Sequence, residues 1–206
     1  MADMIPRYEF RTFAQTFGLV ETKMRKIAPC EQIRESSEIY VVSASSIHSN
    51  TKIRDEKMDI KELIETRDGF ERWNPRMKGA FPLSARTIRE DVFPALGIDS
   101  PALIKSYYSL RSFIEDLVIP HASLRAVHVF KRRFAFTINR CIVEIADLLI
   151  NGAAIQTVGV ELEDTAAILA VKDELGLGEY ENINYLRAIK RIVGLERYPD
   201  LDKLLN

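Results

Sequence analysis

Charged and apolar residues alternate repeatedly along this chain, and an extended strand is the conformation that sorts them onto separate sides. In a strand, successive side chains point to opposite faces. Val127 to Ile138 (VHVFKRRFAFTI) puts Val129, Lys131, Arg133 and Ala135 on one face, with Phe130, Arg132, Phe134 and Phe136 on the other. Gln156 to Glu163 (QTVGVELE) likewise puts Glu161 and Glu163 on one face, and Val160 and Leu162 on the other. Like charges on alternate residues repel and favour solvent unless something positive lies opposite. Lys131 and Arg133, Lys52 and Arg54, Lys61, and Arg11 beside Glu9 are the candidates for that role.

Two arrangements satisfy this pattern. One is an antiparallel sheet wet on one side and packed by helices on the other. The other is a sheet curled until its charged faces meet inside a tunnel. There, lysines and arginines can surround a polyanion while carboxylates hold a hard cation bridging it.

Composition narrows the partners. With 206 residues, 47% of them hydrophobic, the chain can bury a core and fits a single domain over 1–206, or one with an insertion. A net charge of -1 gives no general pull towards nucleic acid, so an anion site has to come from local arrangement. Cys30 and Cys141 alone do not suggest a disulfide framework or a thiolate zinc cluster. MADMIPRYEFR lacks the apolar core of a signal peptide, and no stretch approaches ~18 apolar residues. The expectation is a soluble cytoplasmic protein without a membrane partner and without sequence-specific nucleic-acid binding, with a homodimer as a candidate assembly.

Taken in order, Arg7 to Phe13 reads as a strand with Arg7, Glu9 and Arg11 on one face. Gly18 to Lys26 is ambiguous, with Leu19, Met24 and Ile27 placed to face a core from a short helix. Glu38 to Ser43 is a strand, followed by a polar turn to Asn50. Thr51 to Asp55 and Lys57 to Leu63 form a hairpin, with Lys52 and Arg54, then Asp59 and Lys61, turned away from Ile53, Met58 and Ile60. Gly69 to Leu83 is expected to mix a short strand with loops. Ser84 caps a helix running to about Ala95, and Ser100-Pro101 opens a second that ends before Pro120. Cys141 to Ile150 and Ala153 to Glu163 pair through Asn151-Gly152, a strong hairpin signal. Asp164 or Thr165 caps a helix through Leu175 that Gly176 ends, and a last helix covers about Tyr185 to Val193.

The order of these elements resembles the CYTH superfamily, the triphosphate tunnel metalloenzymes. The resemblance covers most of the chain, with the helical segment 84–123 between two strand-rich halves. Family members carry an early E-x-E-x-K strand, basic residues on paired strands, a K-x-R or R-x-R strand opening the second half, and a late E-x-E strand before a terminal helix. The corresponding residues are Lys52-Ile53-Arg54, Lys61, Lys131-Arg132-Arg133 and Glu161-Leu162-Glu163, followed by Glu174-Leu175-Gly176-Leu177 and Asn184-Tyr185. Each motif is short, and it is their order and spacing that carry the likeness. The chain departs from the family at Arg7-Tyr8-Glu9-Phe10-Arg11, where arginines replace the first glutamate and the lysine.

The resemblance implies an α+β fold, a largely antiparallel β-sheet curled into a tunnel-like barrel and flanked by helices. It further implies a metal-dependent phosphohydrolase acting on inorganic triphosphate or an organic triphosphate, or on ATP as a cyclase. In that reading Glu9, Glu161 and Glu163 hold Mg²⁺ or Mn²⁺. Arg11, Lys52, Arg54, Lys61, Lys131 and Arg133 bind phosphate. Glu161 and Glu163 are the catalytic centre, with Asp147 or Glu144 orienting water. The alternative is a non-catalytic polyphosphate- or nucleotide-binding module with a degenerate metal site, which Arg7 favours. His48, His121 and His128 show no metal-ligand spacing, and there is no G-x-x-x-x-G-K-[ST] loop. Trp73, amid Arg72, Arg76 and Lys78, is read as a loop anchor.

Overall fold

Two-residue turns set much of the strand pairing. In Asp55-Glu56, Asp68-Gly69, Asn139-Arg140 and Asn151-Gly152 both residues have positive φ, for example 47° and 89° in the last. That is the backbone of type I′ turns, whose twist matches the strands they join. The computed structural model describes residues 6–196. Its strands are β1 (Tyr8–Ala14), β2 (Gln32–Ser43), β3 (Ser49–Arg54), β4 (Lys57–Arg67), β5 (Phe70–Ala80), β6 (Leu83–Ser84), β7 (Tyr107–Tyr108), β8 (Leu124–Ile138), β9 (Cys141–Ile150) and β10 (Ala153–Leu162). Eight of them close an antiparallel barrel in the order β1-β10-β9-β8-β2-β3-β4-β5, and β6 pairs with β7. The α+β barrel that the resemblance implied is therefore the observed fold. The segment expected to mix strand and loop is instead one continuous strand, β5, set in register by the Asp68-Gly69 turn.

The chain forms two compact units. The first holds the residues up to Ser37, Glu62–Asn74 and His128–Asn184. Here α1 (Gly18–Ile27) and α5 (Thr165–Leu175) cover one face of the strands. Phe10, Phe136, Val143, Val158 and Val160 pack there against Val20, Met24, Ile168 and Val171. The Asp164 side chain caps α5 by accepting the Ala166 N–H at 3.0 Å, and Gly176, at φ 77°, ends it. In α1 the core residues are Val20 and Met24, whereas Leu19 is 83% exposed and Ile27 is also exposed. The expected trio of Leu19, Met24 and Ile27 holds only at Met24, because helical spacing left the rotation of so short a helix undetermined.

The second unit holds Glu38–Lys61, Pro75–Val127 and the residues from Tyr185 on. Val41, Ile53, Met58 and Ile60 pack against Ile88, Val92, Phe93 and Phe113. Ser84 accepts the Thr87 N–H at 3.0 Å and starts a continuous helical run: α2 (Ala85–Thr87), a π-helical turn (Ile88–Val92) and α3 (Phe93–Ala95). The next helix does not begin at Pro101. It starts with α4 (Leu110–Ser112), capped by Ser109, and continues as a π-helical stretch over Phe113–Val118. The cause is Tyr108, which is 1% exposed and pairs through β7 with Leu83. Its hydroxyl accepts the backbone N–H groups of Ile104 and Lys105, which holds the preceding chain out of a helix. Helix α6 (Tyr185–Ile192) stacks Tyr185 on Tyr40, and Lys190 donates to the carbonyls of Ala44 and Ser46. Among the described residues no helix is long and apolar enough to cross a membrane.

The rotation of α1 makes a direct stability prediction. Met24→Ala empties a fully buried site and should cost about 2–5 kcal/mol. Leu19→Ala should stay within about 0.5 kcal/mol. Urea unfolding followed by circular dichroism measures both; equal losses would place α1 in a different rotation.

Candidate functional site

Register brings the polar residues of the first unit to one face. Glu9 lies opposite Glu161 and Arg11 opposite Gly159 on β1 and β10. Gly159 lies opposite Glu144 on β9. On β8, Ala135 faces Glu144, Arg133 faces Ala146 and Lys131 faces Leu148. Directly opposed residues share a face. Glu9, Arg11, Lys131, Arg133, Glu144, Gly159 and Glu161 therefore lie on the side turned away from α1 and α5. Lys131 is 2% exposed there.

Arg11 is the centre of this face, and its side chain is 6% exposed. Its Nε donates to Glu9 Oε1. Nη1 lies 3.6 Å from Glu144 Oε1 and Nη2 lies 3.8 Å from Glu161 Oε1. Nη1 also donates to Thr157 Oγ1 at 3.3 Å. The Arg11 backbone N–H is held by Asn182 Oδ1 at 2.8 Å, and its carbonyl accepts the Ile183 N–H at 2.7 Å. Arg133 Nε lies 3.8 Å from the second oxygen of Glu144, and its Nη2 donates to Ser36 at 2.7 Å. Gly159 makes room for the guanidinium, since a Cβ there would sit 2.5 Å from Nη2 and 2.8 Å from Cζ.

Glu71 adjoins the same face, opposite Glu9 on β5. It accepts both its oxygens' bonds from Asn184 Nδ2, at 3.1 and 2.8 Å, and one from Trp73 Nε1 at 3.1 Å. Trp73 lies within β5 and is not a loop anchor. Glu71 went unnoticed in the sequence because it belongs to no spaced pattern; its one signal was proximity to the only tryptophan.

Of the expected site residues that belong to the first unit, two are not brought to this cluster. Asp147 lies opposite Gln156 and Arg132, on the other face from Glu144, and accepts a bond from Gln156 Nε2 at 2.8 Å. Strand parity thus puts Glu144, and not Asp147, on the face of Glu9 and Glu161. Glu163 lies beyond the end of β10 and is exposed, because the chain turns there to place Asp164 as the cap of α5. Only the first carboxylate of the Glu161-x-Glu163 pair is in the strand.

The metal implied by the resemblance does not fit this arrangement. Glu9, Glu144 and Glu161 are hard oxygen donors of the kind Mg²⁺ and Mn²⁺ take. The space they converge on is filled by the Arg11 guanidinium. Among the described residues no group of three or more His, Cys, Asp or Glu is arranged to hold a metal ion.

The second unit has its own charged cluster. Glu38 is buried, with Lys52 Nζ at 3.5 Å and Arg54 Nη1 at 3.4 Å from its oxygens. Burial pushes the Lys52 ammonium below its ordinary pKa. Glu38 opposes that shift, Arg54 adds to it, and Asp59 and Lys61 act in opposite senses from further along the hairpin. Lys52 lies opposite Tyr40 and Ile53 opposite Ile39, so Lys52 is turned away from the apolar core that holds Ile53.

The contact of Arg11 with Gly159 is testable by one methyl group. Gly159→Ala should push the guanidinium away from its carboxylates and cost about 1–3 kcal/mol in urea unfolding. No change in stability would mean the guanidinium moves aside without loss.

No family model matches the chain, and no curated protein does. Among solved structures it is similar to a putative adenylyl cyclase from Hippeastrum, for which a dominant triphosphatase activity is described. The TM-score is 0.51 at 10% identity, over 93% of this chain and 100% of that one. It is also similar to a putative adenylate cyclase from Bacillus halodurans, with a TM-score of 0.52 at 10% identity, over 87% of this chain and 95% of that one. At this identity the likeness shows a shared fold, the one that the resemblance to the CYTH superfamily implied.

Proposed function

We propose that this protein is a CYTH-superfamily member that binds the triphosphate group of inorganic triphosphate, an organic triphosphate or polyphosphate, without a divalent metal. The observation that carries this reading is Lys131, buried beside Arg133 on the inner face of β8 in a chain of net charge -1. Two cationic side chains on one strand face match the negative charge that a phosphate chain carries along its length. Arg133 brings a planar fork suited to phosphate oxygens. Lys52, Arg54 and Lys61, on the hairpin of the second unit, are proposed as phosphate-binding residues in their own right. Arg11, which meets three carboxylates at once, is proposed to organise them instead of contacting phosphate. The triphosphatase activity described for the Hippeastrum protein favours triphosphate as the ligand class.

The second reading is the metal-dependent phosphohydrolase, with Mg²⁺ or Mn²⁺ on Glu9 and Glu161 and hydrolysis of the bound triphosphate. The carboxylates themselves favour it, and the position of Arg11 among them tells against it.

Tripolyphosphate without metal should raise the melting temperature, because a ligand of the folded state stabilises it by about 2.7 kcal/mol at 100 times its Kd. For a chain of this length that is about 5–10 °C. Lys131→Ala with Arg133→Ala should remove most of the shift; an unchanged shift would overturn the assignment. Phosphate release from inorganic, adenosine and thiamine triphosphates should show no dependence on Mg²⁺ or Mn²⁺. Metal-dependent release would establish the second reading.

Lys52 predicts a pH dependence. Its ammonium is charged below its lowered pKa and neutral above it, so tripolyphosphate affinity should fall as pH rises, starting below the range of about 10.4 expected of an ordinary lysine. Lys52→Arg should move that loss to higher pH. Titration calorimetry across pH checks this, and an identical profile in the variant would remove Lys52 from the site.

A further inference from the structure

We infer that Arg11 is a built-in cation: its guanidinium occupies the position among Glu9, Glu144 and Glu161 that a divalent ion would otherwise fill, and removing it would create a metal site. Three features of the first unit support this. The carboxylates come from three strands, β1, β9 and β10, and meet on one arginine side chain. A guanidinium can serve them all because its five N–H donors fan out in one plane, whereas an ammonium is a compact point charge.

The charges also correspond. Arg133 Nε lies against Glu144 Oε2, while Arg11 Nη1 lies against Oε1. Arg133 thus adds a second positive charge at Glu144, and the two arginines together carry the charge of a divalent ion. With both in place, an additional divalent ion would meet cationic repulsion as well as occupied donors.

Finally, the position is built and not incidental. Both backbone polar groups of Arg11 are held by the Asn182–Ile183 segment, and Asn182 is itself anchored to the Gly69 carbonyl at 2.6 Å. Directly opposite on β10, the residue is glycine, and any side chain there would collide with the guanidinium. The adjoining gap is lined by Glu9, Arg11, Glu71, Asn182 and Asn184 and is too narrow to seat a water. The inference concerns the carboxylate centre alone and stands whether or not a triphosphate is the ligand.

Mn²⁺ titration followed by electron paramagnetic resonance tests it without any substrate. Wild type should show no saturable Mn²⁺ binding that depends on Glu161. Arg11→Ala and Arg11→Gln should each bind Mn²⁺ at least about tenfold more tightly than wild type, and adding Glu161→Gln should abolish the gain. Folded Arg11 variants without that gain would overturn the inference. So would saturable wild-type binding that Glu161→Gln removes, a result that needs no Arg11 variant to fold.

Discussion

Covering one face of each strand with helices forces the charged residues of those strands to find partners among themselves. In the first unit, α1 and α5 bury Phe10, Val143, Val158 and Val160. By parity this turns Glu9, Arg11, Glu144 and Glu161 to the other face, on strands whose backbones are about 4.8 Å apart. Carboxylates so close require a cation. The apolar packing thus creates the electrostatic demand that Arg11 meets, and the site is a consequence of how the core is built.

The identity of that cation has chemical consequences. A bound metal can leave, exchange ligands and polarise a phosphoryl oxygen or a water. A guanidinium does none of these; it orients the carboxylates and stays charged at every ordinary pH. A barrel of this fold with arginine at its carboxylate centre is suited to holding a polyanion on its other basic residues, which is why binding is proposed ahead of hydrolysis. The fold itself does not discriminate, since one architecture can host different functions.

The second unit shows the same demand met differently. There a buried carboxylate, Glu38, lies between Lys52 and Arg54, and burial weakens the hold of Lys52 on its proton. An incoming anion would favour the charged form of that lysine, so the phosphate binding proposed there would favour proton uptake. The first unit relies on arginines at its carboxylates and carries no such coupling through them.

Much of the fold was legible locally. Period-two alternation located most of the barrel strands, though not the full length of β2 or β5, Asn151-Gly152 announced its hairpin, and Ser84, Asp164 and Gly176 marked helix ends. Such signals act within a few residues, so they survive without knowledge of the rest of the chain. The alternation likewise sorted Lys131 and Arg133 from Phe134 and Phe136. What local pattern could not decide was register and termination. Asp147 and Glu144 are three apart, on opposite faces, and only pairing with Gln156 and Gly159 says which is which. Glu163 follows the alternation of its strand in sequence, yet the strand stops at Leu162 because a helix cap is needed next. Tyr107 and Leu103 fit a helical period, but burial of Tyr108 in the packed core prevailed. The meeting of Arg11 with Gly159, 148 positions later, depends on the pairing of β1 with β10. Tertiary structure alone decides such a contact, because it is set by how distant strands align and not by any property of either segment.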